Sequence, residues 1–327
     1  MGKILFIRGG AVGDFILTLP AIQLVRENLP DAEIEVLGYP PVTKLAQAAG
    51  LAHGTRSIEY GPLSSFFVPH SVLSPELIDY FQRFSVVVSY LYDPDGFFAE
   101  NLKRAGVETL FQGPHKIDES LADQPAATQL ARPLEQLALF LEQPHVELAF
   151  DEASRESAAE LFAKTKTSTK SESEPTASRW IALHPGSGSP RKNWSFEGWI
   201  EVAQALRAKN PETRFLISSG EAEDEVISQF LALMDEKQIP HLHAAHLSLP
   251  ALGSVLQRCD LYLGHDSGIS HLAAACGLPA VLLFGPTNPA IWAPQNPGVR
   301  TIQAPEQDLS QITAEAILEK VGELLPN

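Results

Sequence analysis

The chain has 327 residues, of which 44% are hydrophobic, and a formal net charge of −16. That length exceeds what one hydrophobic core usually supports, so two domains are expected. A surface this acidic repels phosphate backbones, which argues against nucleic-acid binding. Two cysteines, Cys259 and Cys276, provide no disulfide framework and favour a reducing compartment.

The sequence contains no run that approaches the roughly 20 apolar residues needed to span a membrane. Its first apolar run, Ile4–Ile7, leads directly into glycines, as a strand does, and does not have the form of a signal peptide. We therefore expect a cytoplasmic protein without a transmembrane segment. Peripheral contact with the inner face of the cell membrane stays compatible with that expectation.

The first half of the chain alternates apolar strands with amphipathic helices. The predicted strands and helices are, in chain order, Ile4–Ile7, a helix from Phe15 to Val25, Ile34–Gly38, a helix over Val42–Ala49, and a strand over Ser85–Tyr92. Strands that alternate with helices predict a parallel sheet covered on both faces.

Residues 164–178 are polar, contain no aromatic residue and are low in complexity. Such a composition cannot pack a core, so it predicts a flexible surface loop without chemistry. We therefore predict a first domain at 1–163, this loop at 164–178, and a second domain at 179–327. The last helix of the chain is free to pack back on the first domain.

After this loop the alternation of strands and helices starts again. The predicted elements are Trp180–Leu183, Phe196–Ala208, Arg214–Ser218, Glu223–Met234, Leu261–Gly264, Ala280–Phe284 and Ile312–Leu325. The fold class predicted is α/β, with two doubly wound, Rossmann-like parallel-sheet domains facing a cleft. Ligands of such folds bind at the carboxyl ends of the strands.

The first motif is Arg-Gly-Gly-Ala-Val-Gly-Asp at residues 8–14, directly after the first predicted strand. A glycine-rich turn allows close approach of a ligand to the backbone. The glycine spacing does not fit the dinucleotide fingerprint, and no acidic residue ends the second strand, which argues against NAD. Asp14 is either a helix cap or a general base that receives a proton from an acceptor hydroxyl.

The second motif spans His184–Trp194 and places small residues, then cations, after a strand. Ser187 and Gly188 are suited to direct a hydroxyl and backbone N–H groups toward phosphate, and Lys192 supplies a full positive charge. The alternative is an ordinary loop between a strand and a helix.

The third motif is Asp266-Ser267-Gly268, where a predicted strand runs into a helix of small residues. N–H groups at such a helix start suit a diphosphate. Asp266 would repel phosphate, so a ribose or sugar hydroxyl is its expected partner. His271 lies one turn further along the same helical face and is either structural or directed at the anion.

These motifs resemble glycosyltransferase family 9, the lipopolysaccharide heptosyltransferases. The resemblance is carried by Asp-Ser-Gly-x-x-His-x-x-Ala-Ala at 266–275, by Pro279, by Phe-Gly-Pro-Thr at 284–287, and by Gly13-Asp14 with Pro20-Ala21 near the N-terminus. It implies a GT-B fold and an inverting transfer of a sugar, heptose in this family, from an ADP-sugar to a hydroxyl of a lipopolysaccharide-core or other glycan acceptor. It further implies that neither a metal nor another cofactor is needed.

The resemblance also implies roles for individual residues. Asp14 matches the catalytic base and Lys192 the lysine that binds donor phosphate. An acidic residue after Arg214–Ser218 holds ribose in the family, and both Glu221 and Glu223 fit that position. The remaining predicted site residues are Ser187, Gly188, Asp266, Ser267, Gly268 and His271 on the donor side, and Arg8 and Gly13 on the acceptor side.

Three alternatives stay open at the level of sequence. Asp93-Pro94-Asp95 looks like the Asp-x-Asp metal motif of another glycosyltransferase fold, although an acceptor-side or structural loop fits it better. The chain could also be a sugar-nucleotide epimerase on the same fold. A third interpretation is a non-catalytic family member that only binds a nucleotide.

Overall fold

The computed structural model describes residues 2–166 and 179–325. The chain divides into two compact units, Met1–Val146 and Glu147–Asn327. Each unit contains its own parallel sheet with helices packed on it. The predicted division into two doubly wound α/β halves therefore holds for the fold class.

The strands of the first unit are short and mostly buried. They are β1 (Lys3–Arg8), β2 (Glu33–Gly38), β3 (Gly54–Ser57), β4 (Val86–Ser89) and β5 (Leu110–Gln112). They pair in parallel in the order β3-β2-β1-β4-β5. β1 lies at the centre, and its apolar residues are buried as a central parallel strand requires.

The helices of the first unit are α1 (Val12–Ile16), α2 (Leu19–Asn28), α3 (Pro40–Ala48), α4 (Pro75–Phe81), α5 (Phe97–Arg104) and α6 (Ala126–Ala131). The prediction of a single helix from Phe15 to Val25 is wrong, because the helix is interrupted between Ile16 and Leu19. Pro20 cannot donate to the carbonyl of Ile16, and its ring would clash there, so a new helix starts instead.

The second unit has six described strands, β6 (Trp180–Leu183), β7 (Arg214–Ser219), β8 (His241–Ala245), β9 (Leu261–His265), β10 (Ala280–Phe284) and β11 (Val299–Gln303). Their parallel order is β11-β10-β9-β6-β7-β8. All residues of β9 and β10 are buried, which explains their continuous apolar runs.

The helices of the second unit are α7 (Glu152–Lys166), α8 (Phe196–Lys209), α9 (Ile227–Glu236), α10 (Leu249–Leu256), α11 (Gly268–Ala275), α12 (Pro289–Trp292) and α13 (Ala314–Leu324). Ser195 caps α8 by accepting from Gly198 N at 3.1 Å, as the sequence indicates. α9 starts later than predicted, since Glu221–Glu223 form a 3-10 turn. α13 packs on α8 and β10 of its own unit.

The boundary between the units differs from the prediction at 163. α7 packs along α10, and Leu148 N donates to the carbonyl of Ala275 at 2.7 Å, so this stretch belongs to the second unit. Residues 164–166, predicted as loop, continue α7, and residues 167–178 lie outside the described part of the chain.

Each sheet is covered by an apolar core of its own. In the second unit the core includes Trp199, Phe215, Phe230 and Val281, all fully buried. In the first it includes Leu5, Phe66 and Phe81. Within residues 2–166 and 179–325, no helix has both the length and the apolarity to cross a membrane.

Candidate active site

Each sheet contains one point at which the order of strand addition reverses. In the first unit the chain builds from β1 through β2 to β3 and then returns to β4, on the other side of β1. In the second unit it builds from β6 to β8 and returns to β9, on the other side of β6. Ligands of open α/β sheets bind at the carboxyl ends of the strands at such switch points. Each unit therefore offers one candidate site, at β1/β4 and at β6/β9.

In the first unit, Asp14 lies in the first turn of α1, just after the glycine-rich turn that follows β1. Its Oδ2 accepts from Ala11 N at 3.1 Å, and its Oδ1 lies 3.5 Å from Nη2 of Arg8. Gly10 makes room for it with a φ of +104°, since a Cβ there would lie 2.8 Å from Asp14 Oδ2. The carboxylate is 36% exposed, so it is both a helix cap and accessible to a ligand.

Arg8 ends β1 and lies beneath Asp14. Its side chain is only 5% exposed, and its guanidinium carbon lies 5.6 Å from the centroid of the Tyr90 ring, just beyond β4. Nε is buried and has no hydrogen-bond partner among the described residues. Burial lowers the pKa of Arg8, while the charge of Asp14 opposes that shift. The burial of Arg8 suits a group that orients Asp14. Gly13, the other residue predicted on the acceptor side, directly precedes Asp14 within α1.

Asp93, from the possible metal motif, caps the start of α5. Its Oδ1 accepts from Phe98 N at 3.0 Å, and its Oδ2 accepts from Ala99 N at 2.9 Å. This double cap agrees with the structural interpretation of Asp93-Pro94-Asp95. Across the described residues, no three His, Cys, Asp or Glu side chains are grouped so that they could hold a metal ion.

In the second unit, Lys192 and Asp266 come together from different loops. Nζ of Lys192 lies 2.6 Å from Oδ2 of Asp266, and the hydroxyl of Thr287 donates to the same oxygen at 2.7 Å. The lysine side chain is 30% exposed and the aspartate 9%. The structure thus gives Asp266 an ammonium and a hydroxyl as partners. Thr287, which follows β10, belongs to the Phe-Gly-Pro-Thr motif but is not among the predicted site residues.

The loop after β6 is braced internally. Ser187 Oγ lies 2.6 Å from Oδ1 of Asn193 and 2.8 Å from the carbonyl of Ser189. Its hydroxyl, predicted to face phosphate, is therefore engaged within the loop. Gly188 is exposed, and a Cβ at this position would meet no atom within 4 Å. The backbone at Gly188 is thus the open part of the loop.

The third motif forms the start of α11, as predicted. Ser267 caps the helix by accepting from Ser270 N at 3.3 Å, and Gly268 is its first residue. Asp266 precedes this start, so its carboxylate and the helix N-terminus are adjacent. His271 is buried in α11, with 5% of its surface exposed. That burial fits the structural interpretation of His271 better than direct contact with a ligand.

The two acidic residues after β7 occupy different environments. Glu223 is 4% exposed; its Oε2 accepts from Gly220 N at 2.8 Å, and its Oε1 lies 3.5 Å from Nε2 of His184. Burial alone would raise the pKa of Glu223, but the bonds from His184 and the backbone outweigh it and hold the pKa below its ordinary value. Glu221 is exposed.

A glycine adjoins this buried pair. A Cβ on Gly186 would lie 2.3 Å from Cγ of Glu223, so only glycine fits there without displacing the glutamate. The sequence did not single out His184 as functional, nor His265, which ends β9 and is fully buried. The signal available for both was their position at the carboxyl end of a switch-point strand.

Comparison with known proteins assigns this chain to a family. A family model described as glycosyltransferase family 9 (heptosyltransferase) matches residues 115–321, more than half of the chain. This chain belongs to glycosyltransferase family 9. As a member of that family it is a glycosyltransferase, and the resemblance stated from the motifs is confirmed.

Family 9 relatives match either a part of the chain or nearly all of it. Over 116 residues the chain is 31% identical to the lipopolysaccharide core heptosyltransferase OpsX of Haemophilus influenzae, covering 36% of this chain and 33% of that protein. It is 22% identical to lipopolysaccharide heptosyltransferase 3 of Escherichia coli, over 96% of this chain and 97% of that protein.

A solved structure in the family shares the fold. The E. coli ADP-heptose lipopolysaccharide heptosyltransferase II superposes with a TM-score of 0.71 at 18% identity, covering 98% of both chains. At that identity the comparison establishes the fold and not the substrate. The GT-B class, with two Rossmann-like units, is thereby confirmed.

Proposed function

We propose that this protein is an inverting, metal-independent heptosyltransferase. Its donor is ADP-heptose, and its acceptor is a hydroxyl of a lipopolysaccharide-core sugar or another glycan. The membership of family 9 and the names of its relatives support the sugar and the nucleotide. The observation that carries the proposal is the ammonium of Lys192 beside the start of α11, which is suited to a diphosphate.

The proposed chemistry is a single displacement at the anomeric carbon. Asp14 takes the proton of the acceptor hydroxyl, and the oxygen forms a bond to the anomeric carbon. The bond from that carbon to the diphosphate oxygen breaks on the opposite face, and ADP leaves. Lys192 and the N–H groups at the start of α11 stabilise the charge that develops on the diphosphate.

The environment of each charged group supports this division of roles. Asp14 is held by Ala11 N and Arg8 but remains partly exposed, as a base that receives a substrate proton must be. Asp266 holds Lys192 from the buried side and leaves the ammonium two further donors. Between the acidic residues after β7, Glu221 is the exposed one and suits ribose better than the engaged Glu223.

The experiment begins with calorimetric titration of ADP, UDP, GDP and NAD, each with magnesium and with a chelator. We expect ADP to bind most tightly, with the same affinity under both conditions. Preference for NAD, or an absolute requirement for magnesium, would contradict the proposal.

Transfer is then measured with ADP-heptose and lipopolysaccharide-core oligosaccharides, and the anomeric configuration of the product is read by NMR. We expect inversion and the release of one ADP per heptose transferred. Conversion of the donor to an epimer without acceptor would identify a sugar-nucleotide epimerase instead. ADP binding without turnover on any glycan would identify a non-catalytic nucleotide-binding protein.

A further inference from the structure

His265 is the last residue of β9 and immediately precedes Asp266. Its side chain is fully buried and lies on the same face of β9 as the core residues Leu261 and Leu263. The centroid of its ring lies 5.4 Å from that of Trp199, with the rings nearly edge to face. A polar ring in such apolar surroundings needs partners for its nitrogens.

Both ring nitrogens face backbone groups, and these groups fix the tautomer. Nε2 lies 2.8 Å from the backbone nitrogen of Trp194, which can only donate, so Nε2 is the acceptor. Nδ1 lies 3.4 Å from the carbonyl oxygen of Gly186, which can only accept, so Nδ1 carries the proton. The two contacts require the same neutral tautomer. Burial lowers the pKa of His265 to about 3, which is consistent with a neutral ring.

The two backbone partners bracket the loop that presents Lys192. Gly186 lies at the start of this loop and Trp194 at its end, so one imidazole fastens both ends to β9. Trp194 is itself fixed, since its indole Nε1 donates to the carbonyl of Ile312 at 3.2 Å. Lys192 reaches Asp266, the residue directly after His265. The ring and the ion pair therefore hold the loop against the same strand end.

We propose that His265 is a positioning residue for the donor. Its neutral imidazole holds the 186–194 loop so that the ammonium of Lys192 is presented to the diphosphate. The inference rests on the proposed function for the identity of the donor, and it assigns His265 no contact with substrate. It predicts that the effect of changing His265 passes through Lys192.

The test is a double-mutant cycle with ADP as the probe. ADP affinity is measured by calorimetry for the wild type, His265→Phe, Lys192→Ala and the double variant. We expect His265→Phe to weaken ADP binding about tenfold and to lower kcat/KM about 10²-fold, because the loop is displaced. In the Lys192→Ala background the same change should alter ADP affinity by less than about twofold. An equal loss in both backgrounds would overturn the inference.

A second variant separates the hydrogen bonds from the packing. Glutamine offers one acceptor and one donor without charge, so His265→Gln should recover most of the ADP affinity that His265→Phe loses. Phe230→Leu, in the same core but outside the 186–194 loop, serves as a control for lost stability and should bind ADP as the wild type does. Recovery no better with Gln than with Phe would contradict the role of the two bonds.

The tautomer is observable in the wild-type protein by ¹⁵N NMR of the histidine rings. We expect a proton on Nδ1 and a bare Nε2 for His265, unchanged between about pH 5.5 and 8. Titration of the ring in that interval, or a proton on Nε2, would overturn the inference.

The two proposals can fail separately. If ADP affinity shows the predicted coupling but no heptose is transferred, the positioning role stands and the proposed function fails. If heptose is transferred but the two changes are additive, the proposed function stands and the positioning role fails.

Discussion

Each of the two switch points pairs a buried charge with a more exposed one, and the signs are reversed between the two pairs. At β1/β4 a buried cation, Arg8 at 5% exposure, lies behind a carboxylate, Asp14 at 36%. At β6/β9 a buried carboxylate, Asp266 at 9%, lies behind an ammonium, Lys192 at 30%. In each pair the inner group is fixed by its surroundings, and the outer group is the one that a ligand can reach.

Under the proposed function, this inversion allows one fold to provide two kinds of chemistry. A buried charge is costly unless it is paired, so an inner group constrains where its outer partner lies. The outer carboxylate suits the removal of a proton, and the outer ammonium suits the binding of an anion. In the proposed mechanism, reversing the order within the same sheet architecture separates the two tasks of a transferase.

The largest expected effect comes from neutralising the outer carboxylate. Asp14→Asn should lower kcat about 10²- to 10⁴-fold, the usual contribution of a general base. ADP affinity should stay at the wild-type value, because the proposed donor site lies in the other unit. Transfer assays and calorimetry measure the two quantities. Asp31→Asn, an exposed aspartate after α2, is the matched control, and unchanged turnover in Asp14→Asn would remove its catalytic role.

Removing the outer cation should give the next largest effect. Lys192→Ala should lower kcat about 10²-fold and weaken ADP binding as well, because the charge on the leaving diphosphate loses its partner. Lys209→Ala, at the exposed end of α8, should change neither quantity. Wild-type ADP affinity in Lys192→Ala would contradict the phosphate-binding role.

Methionine at position 8 removes the charge of the inner cation, Arg8, but keeps a long side chain. Arg8→Met should lower kcat about tenfold, because Asp14 loses the group that orients it. Stability should change by less than about 1 kcal/mol, because the buried guanidinium, with Nε unpaired in the described structure, is costly to keep. Thermal unfolding and kcat are the two measurements. Arg83→Met removes another guanidinium from a tyrosine ring, that of Tyr80, and should leave kcat unchanged.

Changing Glu223 should have the smallest effect on turnover, because this buried carboxylate is paired with a side chain that is itself buried, that of His184. Because the folded pKa of Glu223 lies below the ordinary value of 4.5, its stabilisation is present above pH 4.5 and is lost as the pH falls through the folded pKa. Glu223→Gln should cost about 1 kcal/mol at pH 7 and should flatten this acid dependence. Urea unfolding between pH 3 and 7 measures both, with the exposed Glu212→Gln as control. A wild-type acid dependence in Glu223→Gln would exclude this contribution.

Local sequence patterns predicted much of the architecture and the ends of the switch-point strands. Strands that are buried over nearly all their length, such as β1, β9 and β10, produce continuous apolar runs, and the polar residues that follow them are visible without a structure. The motifs that contain Asp14, Lys192 and Asp266 follow strands in this way, and the family resemblance supplies the roles expected of these residues. The interruption of the helix before Pro20 was not predicted, because the buried apolar residues of α1 and α2 follow one continuous helical spacing.

Partners distant in sequence could not be predicted in the same way. The ring of His265 bonds to groups 71 and 79 residues away, and Thr287 reaches Asp266 across 21 residues. Likewise, Glu223 is buried where Gly186 leaves space for its side chain, whereas Glu221 is exposed. Such distinctions arise when strands that are separate in the chain become neighbours in the sheet.

The position of α7 has a consequence for protein engineering. Gly253 on α10 lacks a side chain because the ring of Phe150, just before α7, occupies that space at 2.3 Å from an ideal Cβ. A fragment that starts after the polar stretch would lose this cover and expose the apolar face of α10. Exchange of first units between relatives should therefore join the chains at residues 146/147, so that the second unit keeps its own α7.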